Sequence, residues 1–304
     1  LIEFDFQLEF GVPINYQLPT ENQTQLAVAY FPADHPKGIV QLIHGALEHK
    51  ERYYEFCRFL SDHGYVAVIS DNRGHGQSVS DDDPWGMMRS LPQLIHDQLL
   101  VTQFIKARYP NLPVSLFGHS FGSILARLYL QHHDQEVNAV ALTGTTNYIP
   151  VVPLGLFIGW VFLKCHSEDA KWSLLSKISG LTPGDHSWLS YNQANIHRVS
   201  TDPLMMDEYP VKSLVTLWQG DYSLKRLQKF DCHNPQLPIL SVVGSEDKFS
   251  GGQKGLADTV ATLHEIGYRN VVSLQEPHMK HEVLQETHRE VVFERLLQFF
   301  DTHQ

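Results

Sequence analysis

The sequence predicts an α/β protein: a mostly parallel sheet covered by helices on both faces, with an inserted helical segment. Three observations predict it. Short apolar strand patterns alternate with helical patterns in both terminal parts of the chain. The strand pattern Val114-Ser115-Leu116-Phe117 runs through Gly118-His119-Ser120-Phe121-Gly122 straight into a helical pattern. Between about Thr145 and Pro238 the alternation stops, and prolines, Trp160, Trp172, Trp188 and Trp218 appear among helices and loops.

Taken in order, residues 4 to 10 alternate Phe4, Phe6, Leu8 and Phe10 and read as a strand, as do residues 24 to 31, with turn chemistry from Pro19 between them. Gly38 to Ile43 is a buried strand leading into His44-Gly45-Ala46. Residues 51 to 63 carry Tyr54, Phe56, Phe59 and Leu60 on one helical face, and Gly64 ends them. Tyr65 to Ser70 is the next strand, followed by a turn from Asp71 to Ser78 and a helix from about Pro92 to Tyr109. After the serine turn, Ile124, Leu125, Leu128 and Tyr129 recur at helical spacing. Strands follow at Val137 to Thr143, Pro238 to Gly244 and Asn270 to Gln275, with helices near residues 253 to 266 and Val283 to Phe300. This gives a core of residues 1 to 145 and 238 to 304 around an insertion of residues 146 to 237.

A chain of 304 residues can bury a full core. Its formal charge is −11, from 34 acidic against 23 basic residues, which makes nucleic acid and anionic membranes poor electrostatic partners. Cys57, Cys165 and Cys232 are odd in number and widely spaced, so a reducing, cytoplasmic setting is expected rather than a disulfide framework. The first residues, Leu1-Ile-Glu-Phe-Asp-Phe, are acidic where an export signal would be basic. The uncharged run Ile149 to Leu163 holds two prolines and two glycines and is too short for a membrane span. No His/Cys quartet or H-E-x-x-H suggests a metal.

The serine turn invites a chemical reading. Small residues two before and two after Ser120 let strand and helix backbones approach at a strained elbow, and the helix N-terminus favours negative charge beside the serine. A serine hydroxyl is a weak nucleophile and needs a base and an acid to orient that base. Such groups sit at the carboxyl ends of parallel strands. Asp247, three residues past Gly244, is the expected acid in preference to Glu246. His281 is the expected base in preference to His278, because the following helix would fix it. Backbone N–H groups of Phe121 and Ala46 are the expected oxyanion donors, each worth about 3 kcal/mol.

His44-Gly-Ala-Leu-Glu48-His49 with Arg52-Tyr53 is similar to the pattern H-G-x-x-E-H-x-x-R-Y of monoacylglycerol lipases and lysophospholipase-like hydrolases. Asp71 to Ser78 resembles their D-x-x-G-H-G-x-S, Gly118 to Gly122 their G-H-S-x-G, and Gly244 to Asp247 and His281 to Glu286 their acid and histidine segments. The resemblance implies an α/β-hydrolase fold, with Ser120, Asp247 and His281 as nucleophile, acid and base, and Ala46 and Phe121 as oxyanion donors. It implies a small-molecule ester substrate with an acyl chain, and no metal or organic cofactor. Leu47 departs from the small residue usual there, which puts glyceride specificity in question. Asp71, Arg73 and His75 are expected to shape a turn.

Two readings of Ile149 to Leu163 stand side by side: a lid offering apolar surface to an acyl chain or bilayer, or a helix packing the insertion onto the sheet. Any membrane contact has to be hydrophobic, given the acidic charge. Amide, thioester or peptide hydrolysis, a lyase reaction, and a ligand-binding protein without turnover remain alternatives to ester hydrolysis.

Overall fold

The computed structural model describes residues 11–21 and 24–304, so the strand expected at residues 4 to 10 lies outside the described residues. Elements run β1 (Ile14–Pro19), β2 (Gln25–Phe31), β3 (Gly38–Ile43), α1 (Tyr54–Asp62), β4 (Tyr65–Ser70), α2 (Leu91–Arg108), β5 (Val114–His119), α3 (Phe121–His133) and β6 (Ala139–Thr143). Then come α4 (Val152–Cys165), α5 (Ser173–Ile178), α6 (Gln193–Thr201) and α7 (Val211–Ser223). The chain closes with β7 (Ile239–Gly244), α8 (Gly252–Ile266), β8 (Val271–Glu276) and α9 (Glu290–Thr302).

One eight-stranded sheet has the order β1-β2-β4-β3-β5-β6-β7-β8. β2 pairs antiparallel with β1 and β4, and the pairs from β4 through β8 are parallel. Residues alternate between faces, as the pleat dictates. Ile39, Ile43, Val66, Val68, Leu116 and Val140 join the core beneath α2 and α3, where Leu94, Val101, Leu125 and Leu128 meet them. Val40, Leu42, Ala67, Ile69, Phe117 and Val242 pack against Phe56 and Leu60 of α1 and Phe293 and Leu296 of α9. β3, β4, β5 and β7 are buried at every residue, which is why they read as continuous apolar runs.

The topology places a crevice. From β3 the chain crosses to β4 on one side and then returns to β5 on the other, so the loops after β3 and β5 diverge at a switch point. Ile43 pairs with Gly118, which seats the residues after β3 beside the Ser120 turn. A side chain at Gly118 would put its Cβ 2.3 Å from the Gly122 carbonyl oxygen, and one at Gly122 would meet the Ile43 carbonyl oxygen at 2.2 Å. Gly122→Ala is expected to cost about 3 kcal/mol, near the top of ordinary overpacking penalties. A melting temperature unchanged from the parent would refute this contact.

Three expectations change. β1 runs up to the turn expected at Pro19, over residues to which no strand was assigned; it is an edge strand, exposed at four of its six residues Ile14-Asn-Tyr-Gln-Leu-Pro, and so lacks an apolar signature. The first turn of the helix expected from residue 51 is a 3-10 turn, Lys50–Tyr53. The last helix begins at Glu290 and not at Val283, where the chain makes only a 3-10 turn to Gln285. Its delay has a cause: the buried Glu286 carboxylate turns away to accept from the N–H groups of Lys280 and Tyr191 and the Ser190 hydroxyl, which holds Glu286 extended.

Candidate active site

β5 delivers Ser120 to the apex of the elbow with φ 53° and ψ −117°. A non-glycine residue held there stores strain that persists only because its surroundings dictate it. Those surroundings are the two close glycine contacts already described and the Ser120 N–H, which donates to the Thr143 carbonyl of β6 at 3.0 Å. The Ser120 hydroxyl lies 2.8 Å from His281 Nε2, and His281 Nδ1 lies 3.0 Å from Asp247 Oδ1. With the imidazole neutral, Ser120 donates to Nε2 and Nδ1–H donates to the carboxylate.

The partners arrive from neighbouring strands. β7 ends at Gly244, paired with Glu276 at the end of β8, so the short loops that follow bring Asp247 and His281 to the same edge. Asp247 Oδ1 also accepts from the Phe249 N–H at 2.8 Å. Glu246 instead meets the Tyr191 hydroxyl. His278 stands in solvent at 94% side-chain exposure, facing Glu246. The 3-10 turn rather than a regular helix follows His281, and its Glu282 N–H donates to the Leu189 carbonyl at 2.8 Å.

Burial pulls the His281 pKa down, but the Asp247 carboxylate more than offsets it and the net direction is up. Burial correspondingly works against ionised Asp247, and His281 outweighs it to hold that carboxyl below its usual range. His119, whose ring centroid is 4.9 Å from that of His281, is pushed down to about 3 by burial and by His281. It therefore stays neutral and adds no competing charge. Trp188 and Phe249 flank the His281 ring at 5.1 and 5.2 Å.

The loop after β3 is fixed residue by residue. Gly45 N–H donates to Glu48 Oε1 at 2.6 Å, and Leu47 N–H donates to the Tyr209 hydroxyl at 2.7 Å. Between them, the Ala46 N–H has no internal acceptor among the described residues, and neither has the Phe121 N–H at the start of α3. Leu47 itself has φ 65°, a left-handed conformation uncommon for a residue other than glycine. The Tyr209 hydroxyl lies 2.5 Å from His75 Nε2, so His75 supports the loop from behind. Asp71 accepts from Lys50 and Gln77, and Arg73 bridges Asp97 and Asp83, both within or behind the turn.

The sequence left Glu48, Arg52 and Glu282 without a role. They form a buried cluster. Arg52 donates twice to Glu282 at 2.7 Å and once to Glu48 at 3.1 Å, while Asn195 of α6 contacts both Arg52 and Glu282. The Tyr53 hydroxyl completes Glu48 at 2.6 Å. Burial and the Glu282 charge raise Glu48 against the pull of Arg52. Burial opposes ionised Glu282 as well, but Arg52 holds it down to about 2. The E-x-x-x-R-Y spacing and the Glu after His281 were the available signals.

A cavity of about 290 Å³ opens beside Ser120. Ala46, Ser120, Phe121 and His281 line it, as do Ile149, Leu154 and Ile158 of the α4 region and Leu217 and Trp218 of α7. Its wall is largely apolar, with the polar groups gathered at a few points.

Residues 34–288 match the family described as serine aminopeptidase, S33. A monoacylglycerol lipase of Mycolicibacterium smegmatis is 25% identical over 284 residues, covering 90% of this chain and 91% of that protein. An uncharacterized abhydrolase domain-containing protein of Dictyostelium discoideum is 27% identical over 241 residues; the match takes in 77% of this chain and only 23% of that longer protein. Among solved structures, a thermostable carboxyl esterase from Bacillus coagulans superposes with a TM-score of 0.83 at 22% identity, over 96% of this chain and 98% of its own. With a family match across most of its length and the eight-stranded sheet expected of it, the chain belongs to the serine aminopeptidase S33 family, a lipase-like branch of the α/β-hydrolases.

Proposed function

We propose that the protein hydrolyses carboxylic esters carrying an acyl chain through an acyl-enzyme on Ser120. The observation that carries this is the unbroken hydrogen-bonded line Ser120–His281–Asp247 facing a largely apolar cavity. His281 Nε2 takes the hydroxyl proton as Ser120 Oγ bonds to the carbonyl carbon. The carbonyl π electrons pass to oxygen, where the N–H groups of Ala46 and Phe121 receive the charge. Collapse breaks the bond to the alcohol oxygen, which leaves with the proton from His281. Water repeats the cycle with His281 as base and releases the acid. No step calls on a metal or organic cofactor.

We assign residues 146 to 237 to a cap that closes the cavity from above. Val151, Leu154, Phe157 and Trp160 are 66, 62, 62 and 54% exposed, so α4 presents much of its apolar surface outward while Val152 and Gly159 pack inward. That surface suits transient contact with lipid aggregates. The kinship to a monoacylglycerol lipase makes acyl glycerols and lysolipids the first substrates to try. The three cysteines are free, which supports a cytoplasmic setting. Among the described residues no helix is long and apolar enough to cross a membrane.

A fluorophosphonate should add one adduct mass to the parent protein and none to Ser120→Ala. The parent should also show a chain-length optimum on p-nitrophenyl esters. A folded parent that takes no label, or labels equally without Ser120, would end this reading.

A further inference from the structure

The peptide group that carries the Ala46 N–H is anchored through its own carbonyl. Gly45 lies against the nucleophile: a Cβ there would stand 3.0 Å from the Ser120 Cβ. Its carbonyl accepts from His44 Nδ1 at 2.8 Å. That tautomer is fixed, because the Asn72 N–H can only donate and reaches His44 Nε2 at 2.8 Å. Burial holds the His44 pKa well below its usual value, so the ring stays neutral. In a trans peptide the N–H opposes the carbonyl, which turns the Ala46 N–H away from the His44 ring.

The next peptide is anchored by the segment joining α6 to α7. The Leu47 N–H donates to the Tyr209 hydroxyl at 2.7 Å, and the Leu47 carbonyl accepts from the Met206 N–H at 2.9 Å. Leu47 depends on that grip, since its φ of 65° is a strained conformation that persists only where the surroundings dictate it. Tyr209 is 1% exposed and does not line the cavity, so it reaches no substrate. Its proton is committed elsewhere. His75 Nδ1 faces the Arg73 carbonyl at 2.8 Å and carries the ring proton, which leaves Nε2 to accept from the Tyr209 hydroxyl at 2.5 Å. Burial pushes His75 down to about 4 and raises the Tyr209 hydroxyl, so neither changes charge near neutral pH. The Tyr209 oxygen is thereby left to Leu47 as an acceptor.

We propose that Tyr209 is a positioning residue for the oxyanion hole and links that hole to the cap. With the Gly45 carbonyl held by His44 and the Leu47 N–H held by Tyr209, the Ala46 backbone between them keeps one orientation, and its N–H stays aimed at the developing charge. Without the Tyr209 hydroxyl, the Ala46–Leu47 peptide can rotate and take the Ala46 N–H with it. Met206 and Tyr209 both belong to the segment assigned to the cap. The hole is therefore complete only while that segment is seated on Leu47. This rests on the ester-hydrolase reading and deepens it.

Tyr209→Phe removes one oxygen and keeps the ring that meets His75 edge-on. On a p-nitrophenyl ester of optimal chain length, kcat should fall about 10- to 100-fold with KM within about twofold, short of the roughly 10²–10³-fold cost of deleting a donor. The acid limb of the pH profile should not move, because the His281–Asp247 pair is untouched. An alkyl trifluoromethyl ketone gains an oxyanion when Ser120 adds to it. Its inhibition constant should rise by the same factor, and that of the matching trifluoromethyl alcohol should stay within about twofold. His75→Phe strips the same hydroxyl of its acceptor and should give a smaller kcat loss of the same kind, with the double variant no worse than Tyr209→Phe alone. It carries the test if Tyr209→Phe does not fold.

A kcat within about twofold of the parent, or a loss that lies in KM alone, would overturn the proposal and leave ester hydrolysis standing. So would a ketone and an alcohol that weaken together, or losses that multiply in the double variant. If the parent cleaves no ester and takes no fluorophosphonate, the hydrolase reading and this refinement fall together.

Discussion

An Asp247→Asn enzyme is expected to lose about 10⁴-fold in kcat, against a loss on the order of 10⁶-fold in Ser120→Ala. The difference follows from what each group does. In the proposed mechanism Ser120 supplies the bond to the acyl carbon, whereas Asp247 accepts from His281 Nδ1 at 3.0 Å and so keeps Nε2 free to accept from Ser120. An amide at 247 can present its NH₂ to Nδ1 and leave Nε2 carrying the proton, the wrong face for a base.

The same variant carries a second readout. His281 must be neutral to act, so activity in the parent should rise with pH through an ionisation above the ordinary histidine value of about 6.5. Asp247 is what lifts that pKa against burial. With Asn the larger part of the lift is gone, Glu282 and Glu48 supplying a smaller remainder, and burial stays, so the residual activity should have its acid limb at lower pH. A limb that stays in place, or moves upward, would show that another group controls it.

Arg52→Met is expected to cost about 3–5 kcal/mol in stability, the penalty for stranding a buried charge. Here two carboxylates, Glu48 and Glu282, would be left facing each other with only Asn195, Tyr53 and the Gly45 N–H to quiet them. The pH dependence should change sign. In the parent, Glu282 is lowered to about 2, so its contribution is present above its unfolded pKa and is lost as pH falls toward 2. In the variant, burial and mutual repulsion raise both carboxyls, so the deficit should be largest at neutral pH and shrink toward pH ~4. Adding Glu48→Gln and Glu282→Gln should recover part of the loss. A deficit flat with pH would mean that Arg52 acts by packing alone. Activity should fall in the single variant too, because Glu48 holds Gly45 beside Ala46, and Glu282 follows His281 directly.

How much of this could be read from the residues depended on where each signal resides. β3, β4, β5 and β7 are buried on both faces, and that constraint is written locally as apolar runs. The encounter of Ser120, Asp247 and His281 was legible too, because the ends of parallel strands gather at one edge and only a few acids and histidines lie there. β1 was invisible because an edge strand needs no apolar face. The start of α9 was misplaced because Glu286 is claimed by Ser190 and Tyr191, residues far away in sequence. Arg52 and Glu282, and likewise Tyr209 and Leu47, owe their meaning to partners that no local pattern names.

β6 ends at Thr143 and β7 begins at Ile239, yet the two strands pair directly, with Val140 opposite Ile239 and Thr143 opposite Val242. All that lies between is, to the sheet, a closed loop. The entropy of closing a loop grows only with the logarithm of its length, so doubling it costs about 0.6 kcal/mol. The sheet is therefore almost indifferent to how long the intervening chain is or what it contains, provided its two ends return to adjacent strands. That chain can thus be lengthened, trimmed or replaced at little cost to the strands whose ends carry Ser120, Asp247 and His281.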